Sequence, residues 1–237
     1  RFVSLSSAQT ANFTISDVNL IIGEVHPSDD IAAKIRARVN SAKGLSIDMK
    51  SYNLHKIIFN RNNVSGSVLI PAVNSKIYSM FTIPTLQENY SATTSQDAAD
   101  RVLDGLQDKI NQYQWYYRSG LHPNRKVECK SRIPYTGTGG TSTDDERHAI
   151  MSQHHVYELE KALANCDIEV RNLRNLRDFF VIPRAVGKYG QTMDAQGDDI
   201  QVMIDRSAAG DQDLLLNTFI CHRRTLHVSP IGTTIEL

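Results

Sequence analysis

Apolar and polar residues alternate at period two along much of this chain. Phe13 and Ile15, then Val18, Leu20 and Ile22, follow that rhythm, with a slip between the groups that suits a bulge. Val68 and Ile70 alternate before Pro71. Ile77, Ser79, Phe81 and Ile83 form one strand face, with Tyr78 and Met80 on the other. Tyr113, Trp115 and Tyr117 repeat the pattern, followed by Val127 and Cys129, then Phe179 to Ile182. Ile200, Val202 and Ile204 make a further strand, and Phe219 to Val228 and Thr233 to Leu237 are the last. Gly, Pro, Asn, Asp and Ser separate these runs. About eight or more short strands with such punctuation predict an all-β sandwich.

Helical spacing interrupts the strands three times. Ser28 is placed to cap a helix whose first turn holds Asp29 and Asp30. Ile31, Ile35, Val39 and Ala42 lie on one face, and Gly44 is expected to close the end. A second helix is expected from Ser95, with Ala99, Val102, Leu106 and Ile110 as its stripe, weakened by Gly105. A third is expected over about Glu146 to Asn165, carried by Val156, Leu159 and Leu163. Three helices are too few for regular α/β alternation, so they read as insertions in loops. Tyr135 to Asp145 has no apolar anchor and reads as an exposed loop. No internal repeat or second compositional regime occurs, so residues 1–237 are expected to form one domain.

Composition narrows the function classes. The 237 residues hold 26 Lys+Arg and 26 Asp+Glu, for a net charge of zero. That balance disfavours a general nucleic-acid binder. No apolar run approaches the roughly 18 residues of a membrane helix, so no membrane span is expected. The start, Arg1-Phe2-Val3-Ser4, reads as a cut edge, and the chain is expected to be a piece of something longer. Cys129, Cys166 and Cys221 are odd in number and widely spaced, which argues against a disulfide framework and for a reducing compartment. Sequons occur at Asn12, Asn63 and Asn89.

Candidate chemistry resolves into bland readings. Gly137-Thr138-Gly139-Gly140 is followed by Asp144, Asp145 and Glu146 rather than by Gly-Lys-Ser/Thr, which disfavours phosphate. Gly187-Lys188-Tyr189-Gly190 reads as a turn. His154 and His155 diverge by about 100° on a helix, and His148 lies two turns from His155. Neither spacing chelates one metal. Of the carboxylate pairs, Asp29/Asp30 marks a helix start, Asp144/Asp145 a loop and Asp198/Asp199 a strand entry. Arg171, Arg174 and Arg177 share a helical face and Arg223-Arg224 are adjacent. Asp167, Glu169 and Asp178 stand near the first group to neutralise it. The run Tyr113-Trp115-Tyr116-Tyr117 suits a core or an interface better than base stacking. No G-x-S-x-G elbow or C-x-x-C pair is present. Catalytic, cofactor-binding and metal-binding residues are therefore expected to be none.

Several segments, in order, resemble the C-terminal half of double jelly-roll (hexon-like) major capsid proteins of virophages, Polinton-like viruses and large DNA viruses. They are Ile15 to Ile22 with His26-Pro-Ser-Asp-Asp, Leu69 to Phe81, Tyr113 to Arg125, Gln153 to Ala164, Phe179 to Val186 and Asn217 to Leu226. The third is similar to the family's hairpin of an aromatic strand, an Asn-Gly-like turn and Pro-x-Arg, with Ser119 where Asn is usual.

The resemblance implies a jelly-roll β-sandwich of two antiparallel sheets with helices in its loops. The chain would be the second, C-terminal jelly roll of a longer coat protein. It implies a structural role, with no enzyme activity, in trimeric pseudo-hexagonal capsomers of an icosahedral double-stranded DNA virus. The implied partners are other copies of the chain, the N-terminal jelly roll, neighbouring capsomers, penton and minor capsid proteins. The implied location is the virion, assembled inside the host cell. The Tyr135 to Asp145 loop would be an outward tip, and Trp115, Tyr117 and Phe179 would belong to the core or the intersubunit seam. Two other jelly-roll uses are weighed beside it. One is a receptor- or carbohydrate-binding module. The other is a cupin-type metalloenzyme, whose only testable pair, His222 and His227, has an odd spacing that places the two on opposite strand faces.

Overall fold

The computed structural model describes residues 26–41, 43–71, 76–87, 108–129, 152–169, 180–187, 191–195, 197–210 and 213–236. Two helices and nine strands are described. They run in the order α1 (Asp29–Val39), β1 (Leu45–Phe59), β2 (Ser65–Pro71), β3 (Ile77–Leu86), β4 (Ile110–Tyr117), β5 (Gly120–Glu128), α2 (Gln153–Asn165), β6 (Ile182–Ala185), β7 (Asp199–Arg206), β8 (Leu214–Ser229) and β9 (Gly232–Glu236).

The strands form two sheets. One has the order β1-β8-β3-β6, with β9 added to β8, and the other β2-β7-β4-β5. In this order the first strand neighbours the eighth, the second the seventh, the third the sixth and the fourth the fifth. A long hairpin rolled up on itself produces that nesting, and its eight strands in two Greek keys define a jelly roll. Antiparallel registers join β2 to β7, β3 to β6 and β8, and β4 to β5 and β7. The expected jelly-roll sandwich is the fold observed.

The core lies where inward positions of the two sheets meet. Ile77, Met80, Ile182, Leu214, Leu216 and Ile220 come from one sheet. Val68, Ile70, Tyr113, Trp115, Ile200, Val202 and Ile204 come from the other, and all are buried. These are the alternating residues of the sequence pattern. A buried hydroxyl pair, Thr82 with Thr218 at 2.8 Å, sits among them and satisfies itself.

A second, smaller cluster lies under α2, which packs on β3 and β6. Ser152 starts that helix: its Oγ accepts the His155 N–H at 3.0 Å and donates to the Glu128 carbonyl. Ser79 Oγ donates to the Ala162 carbonyl at 2.9 Å and ties β3 to the helix.

The chain divides into two compact units, Lys50–Arg223 and a smaller one made from Arg1–Met49 with Arg224–Leu237. Strands β1 and β8 contribute residues to both. Within the smaller unit, β8 and β9 form a hairpin from Thr225↔Glu236 to Ser229↔Gly232. Thr225 Oγ1 donates to Asp48 Oδ1 at 2.8 Å, and Ser46 Oγ lies 2.8 Å from His227 Nδ1. Gly44 has φ +63°, and a Cβ there would stand 2.7 Å from the Val228 carbonyl oxygen, so this turn requires glycine.

Several expectations need correction. Ile110 belongs to the start of β4, not to a helical stripe. The third helix begins at Gln153, because Ser152 is its non-helical cap. Helix α1 ends at Val39 with Asn40 as its cap, four residues before Gly44, and Ser28 holds the N-cap without a side-chain bond. The α1 stripe is not buried: Ile31 is 51% and Ile35 42% exposed.

Strand β1 was not expected. Its half-buried face carries polar Ser51, Asn53 and His55, whereas Tyr52, Leu54 and Ile58 are exposed, so the usual rhythm is inverted. The expected strand near residues 13–22, the helix from Ser95 as far as residue 107, and Tyr135 to Asp145 lie outside the described residues. So do Ala42, Arg171, Arg174, Arg177 and Phe179.

Candidate functional site

The aromatic hairpin is the best-built part of the larger unit. Strands β4 and β5 are joined by Arg118 and Ser119, both with positive φ (50° and 54°), and Tyr117 pairs with Gly120. A two-residue loop with both φ values positive is a type I′ turn, usually Asn-Gly. Trp115 is fully buried, and its Nε1 donates to the Pro183 carbonyl at 3.2 Å. Tyr117 is buried as well. Both therefore belong to the core of the protomer. Tyr116, between them, faces the other side of the sheet.

Around the end of this hairpin lies a polar cluster absent from the sequence reading. Arg184 Nη1 donates to Glu158 Oε2 at 2.8 Å and its Nε to the Tyr117 hydroxyl at 3.1 Å. The His122 ring stacks on Tyr117 with centroids 4.1 Å apart. Burial lowers the His122 pKa, and the Arg184 charge adds to that. Burial raises the Tyr117 phenol. Tyr117, His122 and Arg184 open onto a cleft of about 530 Å³, lined also by Arg118, Gln191, Thr192 and Met193. Arg184, the buried cation of this cleft, is paired with Glu158. The alternation gave no warning, because Glu158 on α2 and Arg184 on β6 meet only after folding.

The outer face of the four-stranded sheet presents a row in register: Leu69↔Gln201, Gln201↔Tyr116 and Tyr116↔Leu121. Leu69 is 54% and Leu121 44% exposed. Towards the other end the face turns polar, with Ser67 donating to Gln201 Oε1 at 2.6 Å and Ser65 to Asp205 Oδ1 at 2.6 Å. Lys126 pairs with Asp205 at 2.5 Å. This face is therefore partly apolar at one end and charge-paired at the other.

The other candidates separate. His155 is fully buried, stacked on Phe180 at 5.4 Å and edge-on to Tyr113 at 5.6 Å, whereas its neighbour His154 is exposed. His222 is buried in β8 and His227 contacts Ser46. Among the described residues no group of three or more His, Cys, Asp or Glu is arranged to hold a metal. Asp29 and Asp30 occupy the first turn of α1, and Asp199 opens β7. The three cysteines are buried, and none is in a disulfide. Asn63 is exposed in the β1–β2 turn. Asn12, Asn89 and the Gly137 to Gly140 run lie outside the described residues. Among those described, no helix is long and apolar enough to cross a membrane.

Comparison with protein-family models and with curated proteins gives no match. Among solved structures, the chain is similar to one in the quasi-atomic model of the PBCV-1 virus capsid, at 6% identity and a TM-score of 0.43. The match covers 81% of this chain and 52% of the other, so this chain spans about half the length of that one.

Proposed function

We propose that this chain is a structural coat-protein domain, the second jelly roll of a double jelly-roll major capsid protein. In this reading residues 1–237 form one jelly-roll domain, packed in the whole subunit against an N-terminal jelly roll. Three subunits build a pseudo-hexagonal capsomer of an icosahedral double-stranded DNA virus, with neighbouring capsomers, penton and minor capsid proteins as partners. The protein acts by assembly in the virion and has no enzymatic role.

The nested strand order is the observation that carries this reading. Jelly rolls of this order serve as capsid domains, lectins and cupins. The collinear resemblance of six segments favours the first. Zero net charge agrees, because it removes long-range repulsion between many copies. Fold alone does not fix function, so assembly is the property to test.

The test is the solution mass of the purified protein by light scattering, with negative-stain imaging of the same peak. A stable trimer of pseudo-hexagonal outline, carrying a second chain or a longer precursor, is expected. A monomer of 26.6 kDa under all conditions overturns the reading and directs attention to a receptor- or glycan-binding module.

A further inference from the structure

The smaller unit, Arg1–Met49 with Arg224–Leu237, carries a three-stranded ribbon made of the start of β1, the end of β8 and β9, in the order β1-β8-β9. Ser46 Oγ lies 2.8 Å from His227 Nδ1, and Asp48 Oδ1 accepts from Thr225 at 2.8 Å. These four side chains therefore share one face, and Thr234, opposite His227, joins them. That face is polar. Alternation places Leu45, Ile47 and Met49 of β1 and Leu226 and Val228 of β8 on the other face, bordered by Arg224. The Leu226↔Ile235 pair adds Ile235, so Ile47, Leu226 and Ile235 stand abreast across three strands. Ile47 is 44%, Met49 39% and Ile235 57% exposed, and Ile231 in the β8–β9 turn is 99% exposed. Every buried hydrophobic side chain described lies in Lys50–Arg223 instead. An antiparallel sheet with one apolar face ordinarily packs that face on a core. Here the face has the pattern of a core and the exposure of a surface, which marks a contact site.

We propose that the apolar face of this ribbon docks a second copy of the chain, which seats its outer row from Leu69 through Tyr116 to Leu121 against Ile47, Leu226 and Ile235. The choice of a copy as occupant rests on the coat-protein reading. Shape favours that row. It runs in register across the four-stranded sheet, so it is flat and about 14 Å wide, against about 10 Å for the ribbon, at roughly 4.8 Å per strand. Two such faces stack as the halves of a sandwich do. Charge favours it as well. The net charge of each copy is zero, and at the polar end of the row Lys126 already neutralises Asp205. Symmetry agrees, because two different patches of one chain make a head-to-tail contact, which closes into a ring such as a trimer.

The experiment reads the mass of the assembled protein by light scattering, with near-ultraviolet dichroism as the check of fold. Ile47→Lys with Ile235→Lys should take the trimer to monomer and keep native dichroism, since both side chains are exposed. Ile235→Lys alone gives the same readout if the pair fails the dichroism check. Thr234→Lys, on the polar face, should leave the trimer intact. Mixing the ribbon variant with Leu69→Lys/Leu121→Lys should yield a 1:1 dimer, because each supplies the surface that the other lacks. A trimer that survives the ribbon substitutions overturns this inference and leaves the coat-protein reading standing. So does a trimer lost in Thr234→Lys, or a mixture that stays monomeric. A monomeric wild type overturns the coat-protein reading and this inference with it.

Discussion

His155 shows what a single buried group does to pH behaviour. Its ring is enclosed by Phe180 and Tyr113, and neither ring nitrogen has a hydrogen-bond partner among the described residues. Burial, with a smaller push from His154, lowers its pKa from 6.5 to about 4. The unfolded chain therefore binds a proton that the folded one refuses. The stabilising effect is complete above pH 6.5 and is lost as pH falls towards about 4, amounting to about 3 kcal/mol. Urea midpoints measured between these limits should fall with pH in the wild type and flatten in His155→Leu. A slope unchanged in that variant would assign the acid loss to other groups.

Trp115 is the other residue-scale test. Trp115→Ala empties the centre of the core and should cost about 3–5 kcal/mol, enough to unfold many domains. Trp115→Phe keeps most of the apolar volume and should cost less. A fully folded Trp115→Ala chain by near-ultraviolet dichroism contradicts the core placement.

At the level of elements, two connections decide stability. The Arg184–Glu158 pair joins β6 to α2 with side chains 11% and 5% exposed. Arg184→Met alone leaves Glu158 buried without its partner and should cost about 3–5 kcal/mol. Arg184→Met combined with Glu158→Leu should recover much of that in denaturant titrations. Two single losses that merely add in the double variant would show that the pair is not coupled.

The β4–β5 turn gives the opposite sign. Arg118 and Ser119 hold positive φ without being glycine or asparagine. Arg118→Asn with Ser119→Gly should stabilise the hairpin by about 0.5–1 kcal/mol, read as a higher Tm. A lower Tm would mean that the Arg118 side chain, which donates to the Asp194 carbonyl at 3.3 Å, outweighs the turn preference.

For the whole molecule, the decisive expectation is the trimer, three times 26.6 kDa plus any accompanying chain. The outer row from Leu69 through Tyr116 to Leu121 is a surface on which assembly can be probed without touching the core. Leu69→Lys with Leu121→Lys should leave the protomer folded, since both side chains are solvent-exposed. If this face joins copies, the double variant shifts the mass towards monomer. An unchanged trimer with native dichroism removes the row from the seam.

The alternating pattern alone fixed the sandwich class and most core residues: Val68, Ile70, Trp115, Ile200, Val202 and Ile204 are buried as the period-two rhythm requires. That signal is local, because a strand buries every second side chain wherever it pairs. Asp29 and Asp30 at a helix start were legible for the same reason. The tertiary structure decided what depends on distant partners. It set the strand order, which no local pattern encodes, and it placed Ile110 in a strand. It revealed β1, whose half-buried polar face hides its rhythm. It also brought together Arg184 with Glu158 and Thr82 with Thr218, pairs far apart in the chain. Their chemistry exists only once two sheets and a helix have closed around them.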